Sequence, residues 1–176
     1  MLAAGCIFSP KKDDGGGGGG GGNLYPELTE PALVLEALQL AYQNRDSVEY
    51  KLLYDSTYVG TSTDLNDPPG TQVSTFRYAD EVAHIAALQR STTISSVVFD
   101  LAPKNTWTRL ASDDVSHPEW ALIQIGQWSV EINDGATLYS AHSTNPISFL
   151  FKPTAGAAPG DTTWTIVRWN ETGQTT

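Results

Sequence analysis

Ala41-Tyr42-Gln43-Asn44-Arg45-Asp46-Ser47-Val48-Glu49-Tyr50-Lys51-Leu52-Leu53-Tyr54 holds the end of one helix and the start of another. Upstream of it, Leu33, Ala37, Leu40 and Ala41 recur at helical spacing, and Val34, Leu38 and Tyr42 widen the apolar face. Thr29 is placed to cap this first helix, with Glu30 and Pro31 in its opening turn. The polar run Gln43-Asn44-Arg45 closes it. Asp46 followed by Glu49 has the pattern of a capping box, so a second helix is expected at once. Val48, Leu52 and Leu53, with Tyr50, Tyr54 and Tyr58, give that second helix an aromatic-lined face.

Downstream, Asn66-Asp67-Pro68-Pro69-Gly70 breaks both helix and ladder and reads as a loop. A third helix is expected from Phe76 to Gln89, with Val82, Ile85 and Leu88 on one side. After Arg90 the period changes to two. Val97, Phe99 and Leu101 alternate with Ser96, Val98 and Asp100. Trp120 to Ile132 reads as one long strand, with Trp120, Leu122, Trp128, Val130 and Ile132 in one register. Asn133-Asp134-Gly135 predicts a tight hairpin into Thr137–His142. Ile147, Phe149 and Phe151 mark a further strand over Pro146–Lys152. The last strand, Thr162–Asn170, alternates Trp164, Ile166 and Arg168 with Thr165, Val167 and Trp169. Helices first and antiparallel strands afterwards make an α+β layout.

Composition narrows the function. The chain has 176 residues, 40% hydrophobic and 10% aromatic, enough for a real core. Its net charge is −10, a field that repels phosphate and makes nucleic acid a poor partner. No apolar stretch approaches the ~20 residues that span a bilayer as a helix. Cys6 is the one cysteine, which excludes an internal disulfide and a multi-cysteine metal site.

Eight of the 16 glycines form the unbroken run Gly15–Gly22. Residues 7–22 offer nothing to pack and behave as a flexible tether spanning ~20–25 Å. Ahead of them, Leu2-Ala3-Ala4-Gly5-Cys6 resembles the lipobox of bacterial lipoproteins, in which the cysteine receives lipid. The basic and apolar regions that precede such a box are not part of this sequence. The resemblance implies three parts: a lipobox-like remnant at 1–6, the tether at 7–22 and a domain at 23–176. It implies a protein held to the bacterial cell envelope through lipid on Cys6. Ile7, where an inner-membrane retention signal has Asp, leans towards the outer membrane, facing the periplasm.

Ala-Tyr-Gln-Asn-Arg-Asp at 41–46, Tyr-Lys-Leu-Leu-Tyr at 50–54 and Trp-Thr-Ile-Val-Arg-Trp-Asn-Glu at 164–171 resemble the nuclear transport factor 2-like (NTF2-like) superfamily over about residues 27–172. The resemblance implies three N-terminal helices packed in the concavity of a curved, mainly antiparallel sheet, a cone with an apolar pocket. Enzymes of that superfamily include ketosteroid isomerase, with a carboxylate base and an oxyanion pair of Tyr and protonated Asp. By resemblance, the tyrosine falls at Leu38, the base near Thr61 and the donor acid near Ser148, so none of the three keeps its function. Asp64, the nearest acid, reads as a solvated turn residue.

The remaining candidates are weighed one by one. His142 and Asp100 lie in strands among apolar neighbours and are the candidate acid–base pair, or else a hydrogen-bonded structural pair. Tyr54, Tyr58, Trp107, Trp128 and Phe149 are candidates to line a pocket, or else to fill the cone. Arg168 pairs with a carboxylate on the sheet or lines the rim as an anion anchor. His84 reads as a surface residue of the third helix. The separation of His84, His117 and His142 gives no metal-ligand spacing; a loop site from His117 with Asp113 and Asp114 is the weakest candidate. Neither a nucleophile elbow nor a P-loop is present, and no cofactor is expected. Two readings follow: a non-catalytic envelope lipoprotein domain that binds a small apolar ligand or an envelope protein, and a pocket enzyme of isomerase, dehydratase or hydrolase type using His142 and Asp100. A homodimer through the open sheet face is a third possibility, since members of the superfamily pair that way.

Overall fold

The computed structural model describes residues 24–64, 67–143, 145–156 and 160–173. Cys6, the lipobox-like residues 1–6 and the tether at 7–22 lie outside them. Helix α1 spans Pro31–Gln43, and its N-cap is Glu30 rather than Thr29. Pro31 sets this start, because it lacks the N–H that a first turn leaves unpaired. Val34, Leu35, Ala37, Leu38, Ala41 and Tyr42 form its buried face. At Arg45 the backbone turns left-handed (φ 53°). Asp46 then caps α2, accepting from the backbone N–H groups of Val48 (3.0 Å) and Glu49 (3.1 Å).

Helix α2 is short, Ser47–Leu52, and this corrects the longer helix expected there. Its successor is strand β1, Tyr54–Asp64, so Tyr54 and Tyr58 are strand residues. Thr57, Val59, Thr61 and Thr63 suit a pleated strand better than a helix, since β-branched side chains lose freedom against a helical turn. The aromatic row survives the change of element. The Tyr50 and Tyr54 rings lie 5.0 Å apart, and those of Tyr54 and Tyr58 4.8 Å apart, edge to face. Strand β2, Val73–Arg77, pairs antiparallel with β1 and takes the residues expected to open the third helix. That helix, α3, runs Tyr78–Arg90, with Ile85 and Leu88 buried.

The remaining strands are β3 (Ser96–Leu101), β4 (Thr108–Ala111), β5 (Ala121–Ile125), β6 (Trp128–Asn133), β7 (Leu138–Ser143), β8 (Ile147–Ala155) and β9 (Thr162–Gly173), with a 3-10 turn at Lys104–Thr106. They form two sheets: six strands in the order β2-β1-β9-β8-β5-β4, and three in the order β3-β6-β7. Every neighbouring pair is antiparallel except β1 with β9. The helices pack against the concave side of this curved, mixed arrangement.

Two local events decide which side chains face the helices. First, the expected long strand over Trp120–Ile132 is broken at Gly126 and Gln127, and its halves belong to different sheets. The Gln127 carbonyl accepts from the Ala102 N–H (2.9 Å), one step beyond the Leu101–Trp128 pair, so the pairing with β3 begins at the break. The break also switches parity. Ile123 and Ile125 join the main core before it, and Trp128, Val130 and Ile132 after it, while Leu122 turns to the far side. Second, β9 carries a bulge at Val167, because Phe151 pairs with Ile166 but Leu150 pairs with Arg168. A bulge shifts alternation by one residue. Ile166 and Trp169 therefore share the concave side, while Val167 packs outward with Leu122 and Leu150. The regular alternation expected for this strand is corrected accordingly.

The outer side of the six-stranded sheet is capped from within the chain. Trp120 packs on Leu122, Leu150 and Val167. His117 stacks on Trp120 at 4.0 Å, and Arg168 pairs with Asp113.

The Asp46 cap also ties in the N-terminal segment, since the Tyr25 hydroxyl donates to its second oxygen (3.0 Å). Burial and that carboxylate push the Tyr25 phenol up to about 12. Asp46→Ala is expected to cost about 1–2 kcal/mol in urea unfolding, and Asp46→Asn less, because Asn still caps. Equal losses in the two variants would contradict the capping role.

Candidate functional site

Between the helices and the two sheets lies a cavity of about 720 Å³. Its walls come from every layer. Tyr42 (α1), Tyr50 (α2), Asp80, Glu81, Ala83 and His84 (α3) line one side. Tyr58, Gly60, Thr61, Ser62, Thr75, Phe76, Trp169 and Glu171 line it from the six-stranded sheet. Phe99, Trp128, Val130 and Ala141 complete it from the three-stranded sheet. The volume is in the range of small-molecule sites.

Glu81 organises this space. Its two carboxylate oxygens accept from different elements, Oε2 from the Tyr50 hydroxyl (2.9 Å) and Oε1 from the Tyr58 hydroxyl (3.2 Å). Tyr54 extends the row by donating to the Tyr50 oxygen (2.8 Å). One acid thus joins α3 to α2 and β1. Burial pushes the Glu81 carboxyl above its ordinary range, the two tyrosine hydrogen bonds pull it down, and Asp80 raises it again; the net direction is up. Gly60 belongs to the same arrangement, because a Cβ there would collide with the Tyr58 hydroxyl.

Glu171 is the second acid in the cavity, from β9. Burial pushes it up, a hydrogen bond from Ser62 pulls it down, and the charge of Glu81 raises it further. The Trp169 indole lies near enough to favour its ionised form, yet Trp169 Nε1 completes no hydrogen bond of ordinary geometry. Trp169 packs between Phe149 (4.8 Å) and Phe99 (6.0 Å). Tyr42 hydrogen-bonds its hydroxyl to His84 Nε2 (2.8 Å). Burial raises that phenol, and partial burial lowers the imidazole.

Of the residues singled out from the sequence, Tyr58 and Trp128 line the cavity. So does Thr61, where the resemblance puts a catalytic base in other members. Tyr54 is buried behind Tyr50, and Phe149 behind Trp169, so both are core residues. Trp107 instead borders a smaller cleft of about 180 Å³ with Lys104 and Arg109, and its indole N–H donates to the Ala102 carbonyl. Arg168 lies outside the cavity, paired with Asp113. Leu38 is wholly buried core.

Asp100 and His142 do not enter the cavity. The register places Asp100 opposite Ser129, and Ser129 opposite His142, so the two are a strand apart on one face of the three-stranded sheet. Their neighbours Phe99 and Ala141 line the cavity from the other face, and Asp100 and His142 are exposed. The pairing of these two as pocket groups is thereby corrected. Asp113 is taken by Arg168, and His117 by Trp120 and Glu119. No group of three His, Cys, Asp or Glu side chains among the described residues could hold a metal ion.

Glu81 and Glu171 were missed, although Glu81 left a signal. Glu81, Ile85 and Leu88 are spaced i, i+4 and i+7, which puts a carboxylate on the buried stripe of α3. Glu171 follows Trp169 by two residues in a strand, a face that becomes concave only through the bulge at Val167.

A carboxyl whose pKa is raised on folding favours the folded state below its unfolded value, and that contribution is lost as pH rises through the folded value. The lowered His84 acts oppositely on the descent below its ordinary value near 6.5. The difference between variant and wild type isolates the acid. Glu81→Gln is expected to gain stability relative to wild type as pH rises from about 4.5 to 7. Thermal unfolding across that range measures it; a difference that is flat with pH would contradict the assignment.

No protein-family model matches the chain, and no curated protein matches it. Solved structures do. An NTF2-like protein of unknown function in nutrient uptake from Rhodospirillum rubrum superposes with a TM-score of 0.56 at 10% identity, over 82% of this chain and 98% of that one. A candidate dehydratase of the NTF2-like family from Streptomyces avermitilis gives 0.53 at 14% identity, over 85% and 96%. The β subunit of benzoate 1,2-dioxygenase from Burkholderia mallei gives 0.54 at 12% identity, over 80% and 85%. At these identities the likeness is one of fold. Three helices against a curved, mixed sheet of this topology are the NTF2-like α+β cone.

Proposed function

We propose that the chain is a non-catalytic binding domain of the bacterial cell envelope, held to the outer membrane by lipid on Cys6, whose cavity takes a small, largely apolar ligand. The observation that carries the reading is the open, aromatic-walled cavity: Phe99, Trp128, Val130 and Trp169 face about 720 Å³ that no side chain of the described residues fills. Apolar walls with a few convergent polar groups are the usual make-up of a small-molecule site. The envelope address rests on Leu2-Ala3-Ala4-Gly5-Cys6 and the glycine run behind it. Each buried methylene of a lipid chain contributes about 0.8 kcal/mol of membrane affinity, so several chains on one cysteine anchor stably. A tether of this length leaves the cavity free to face the periplasm. An envelope protein is the other partner this reading allows. A homodimer through the six-stranded sheet would meet Trp120 and the Asp113–Arg168 pair before Leu122, Leu150 and Val167.

A second reading is favoured by one observation. Glu81 and Glu171 are unlike carboxyls in one cavity, one held by two tyrosines and the other by a serine. Acid–base work in an isomerase or dehydratase needs such an asymmetry. If the chain is an enzyme, it works through these acids and not through His142 and Asp100.

Native mass spectrometry of the full chain, expressed in a two-membrane bacterium behind the n- and h-regions of a lipoprotein signal peptide, tests both parts. The expected result is a lipid-modified Cys6, lost in Cys6→Ser together with membrane association, and a retained small molecule. An unmodified soluble chain would end the envelope reading, and an empty cavity the ligand reading. A retained compound recovered unchanged after incubation supports binding. Its conversion, abolished by Glu171→Gln, would favour the enzyme.

A further inference from the structure

Resting on the cavity's being a small-molecule site, we propose that its ligand is an organic cation, a protonated amine on a flat apolar body. Asp80, Glu81 and Glu171 line the cavity, and among the described residues no lysine or arginine does. His84 is the one basic side chain that the described residues put in its wall, and its hydrogen bond to the Tyr42 hydroxyl is compatible with a neutral ring. What makes Glu81 and Glu171 more than a charged surface is that both are partly buried, one from α3 and one from β9, near enough for the charge of Glu81 to act on Glu171, in a space walled by aromatic rings.

A neutral ligand filling this space would strip water from the acids and return nothing to them. An anion would add a further like charge to these acids. A cation offsets the desolvation of both carboxyls, and the aromatic wall takes its apolar body. The two acids are not equivalent. Both Glu81 oxygens already accept from tyrosines, whereas the hydroxyl donated to Glu171 is that of Ser62. Glu171 is therefore the group that meets the ammonium, and Glu81 is the second charge behind it. Facing this pair are Tyr42 from α1, Tyr50 from α2, Tyr58 from β1, and Asp80 and His84 from α3. The walls from the three-stranded sheet, Phe99, Trp128, Val130 and Ala141, do not titrate. An arriving cation lowers the pKa of both carboxyls, so binding releases protons, and affinity rises as pH climbs through their raised range.

Isothermal titration of the full chain tests this with three probes of one shape: tryptamine, neutral 3-propylindole and indole-3-propionate. Titration at pH 6 in two buffers of different ionisation enthalpy reads the protons released. Tryptamine is expected to bind at least tenfold more tightly than 3-propylindole and to release a fraction of a proton, and indole-3-propionate to bind weakest. Glu171→Gln should abolish the preference for tryptamine over 3-propylindole, while 3-propylindole, which no longer desolvates that carboxyl, binds at least as tightly as before. An unchanged circular dichroism spectrum and a cooperative melting transition show that the variant is folded. If 3-propylindole binds as well as tryptamine, or if the preference survives Glu171→Gln, the cation is overturned while the ligand-binding reading stands. If no probe binds and native mass spectrometry finds no retained molecule, both fail together.

Discussion

One carboxyl drawn out of water, shared by two tyrosines, is the constraint on which this architecture turns. Glu81 lies on the face of α3 that packs inward, and nothing apolar can substitute for its partners there. Drawing a carboxylate out of water is costly unless hydrogen bonds replace its hydration. Each phenol hydrogen bond to a charged acceptor returns roughly 1.5–3 kcal/mol. The partners must therefore come to the acid. Tyr50 does so from the end of a six-residue helix, and Tyr58 from the strand that follows. Glycine at position 60 leaves the Tyr58 hydroxyl its place. The polar row Tyr54–Tyr50–Glu81–Tyr58 forms one end of a cone that would otherwise collapse on apolar side chains.

The other end stays open because the sheet is not one continuous surface. The break at Gly126 and Gln127 sends β6 and β7 into a second sheet, and their concave face becomes the opposite wall. The bulge at Val167 rotates Trp169 and Glu171 into the space between. Both events put aromatic or acidic side chains into the concavity where a regular strand would point them outward. Bulges are common beside functional sites for this reason.

Much of the architecture was legible in the sequence because it rests on local chemistry. The Asp46 cap, the Asn133-Asp134-Gly135 hairpin and the alternation of Val97, Phe99 and Leu101 are each written in a few adjacent residues. The α+β order followed from such signals, and the cone from the resemblance carried by residues 41–46, 50–54 and 164–171. The site was less legible because it depends on events without a local signature. Tyr54 and Tyr58 keep four-residue spacing in a helix and in a strand alike, so the period does not tell the two apart. A bulge reverses the facing of every residue beyond it, which hid Glu171 and gave Arg168 the wrong side. Asp100 and His142 attracted notice through apolar neighbours, but in a strand a residue's neighbours are the ones that point the other way. Tyr58 and Trp128 were legible as aromatic candidates for the wall, and of the two acids that were missed only Glu81, on the stripe of Ile85 and Leu88, had a spacing that shows its facing.

The central claim is that Glu81 is a desolvated carboxyl held by tyrosine hydrogen bonds. A carbon-13 NMR titration of glutamate-labelled protein, wild type beside Tyr58→Phe, tests it most directly. The account predicts a glutamate, assigned by its absence in Glu81→Gln, that titrates above the ordinary value of about 4.5. It also predicts a further rise in Tyr58→Phe, because the lost hydrogen bond favoured the ionised form. Titration of Glu81 at or below the ordinary value, or a fall in Tyr58→Phe, would contradict it.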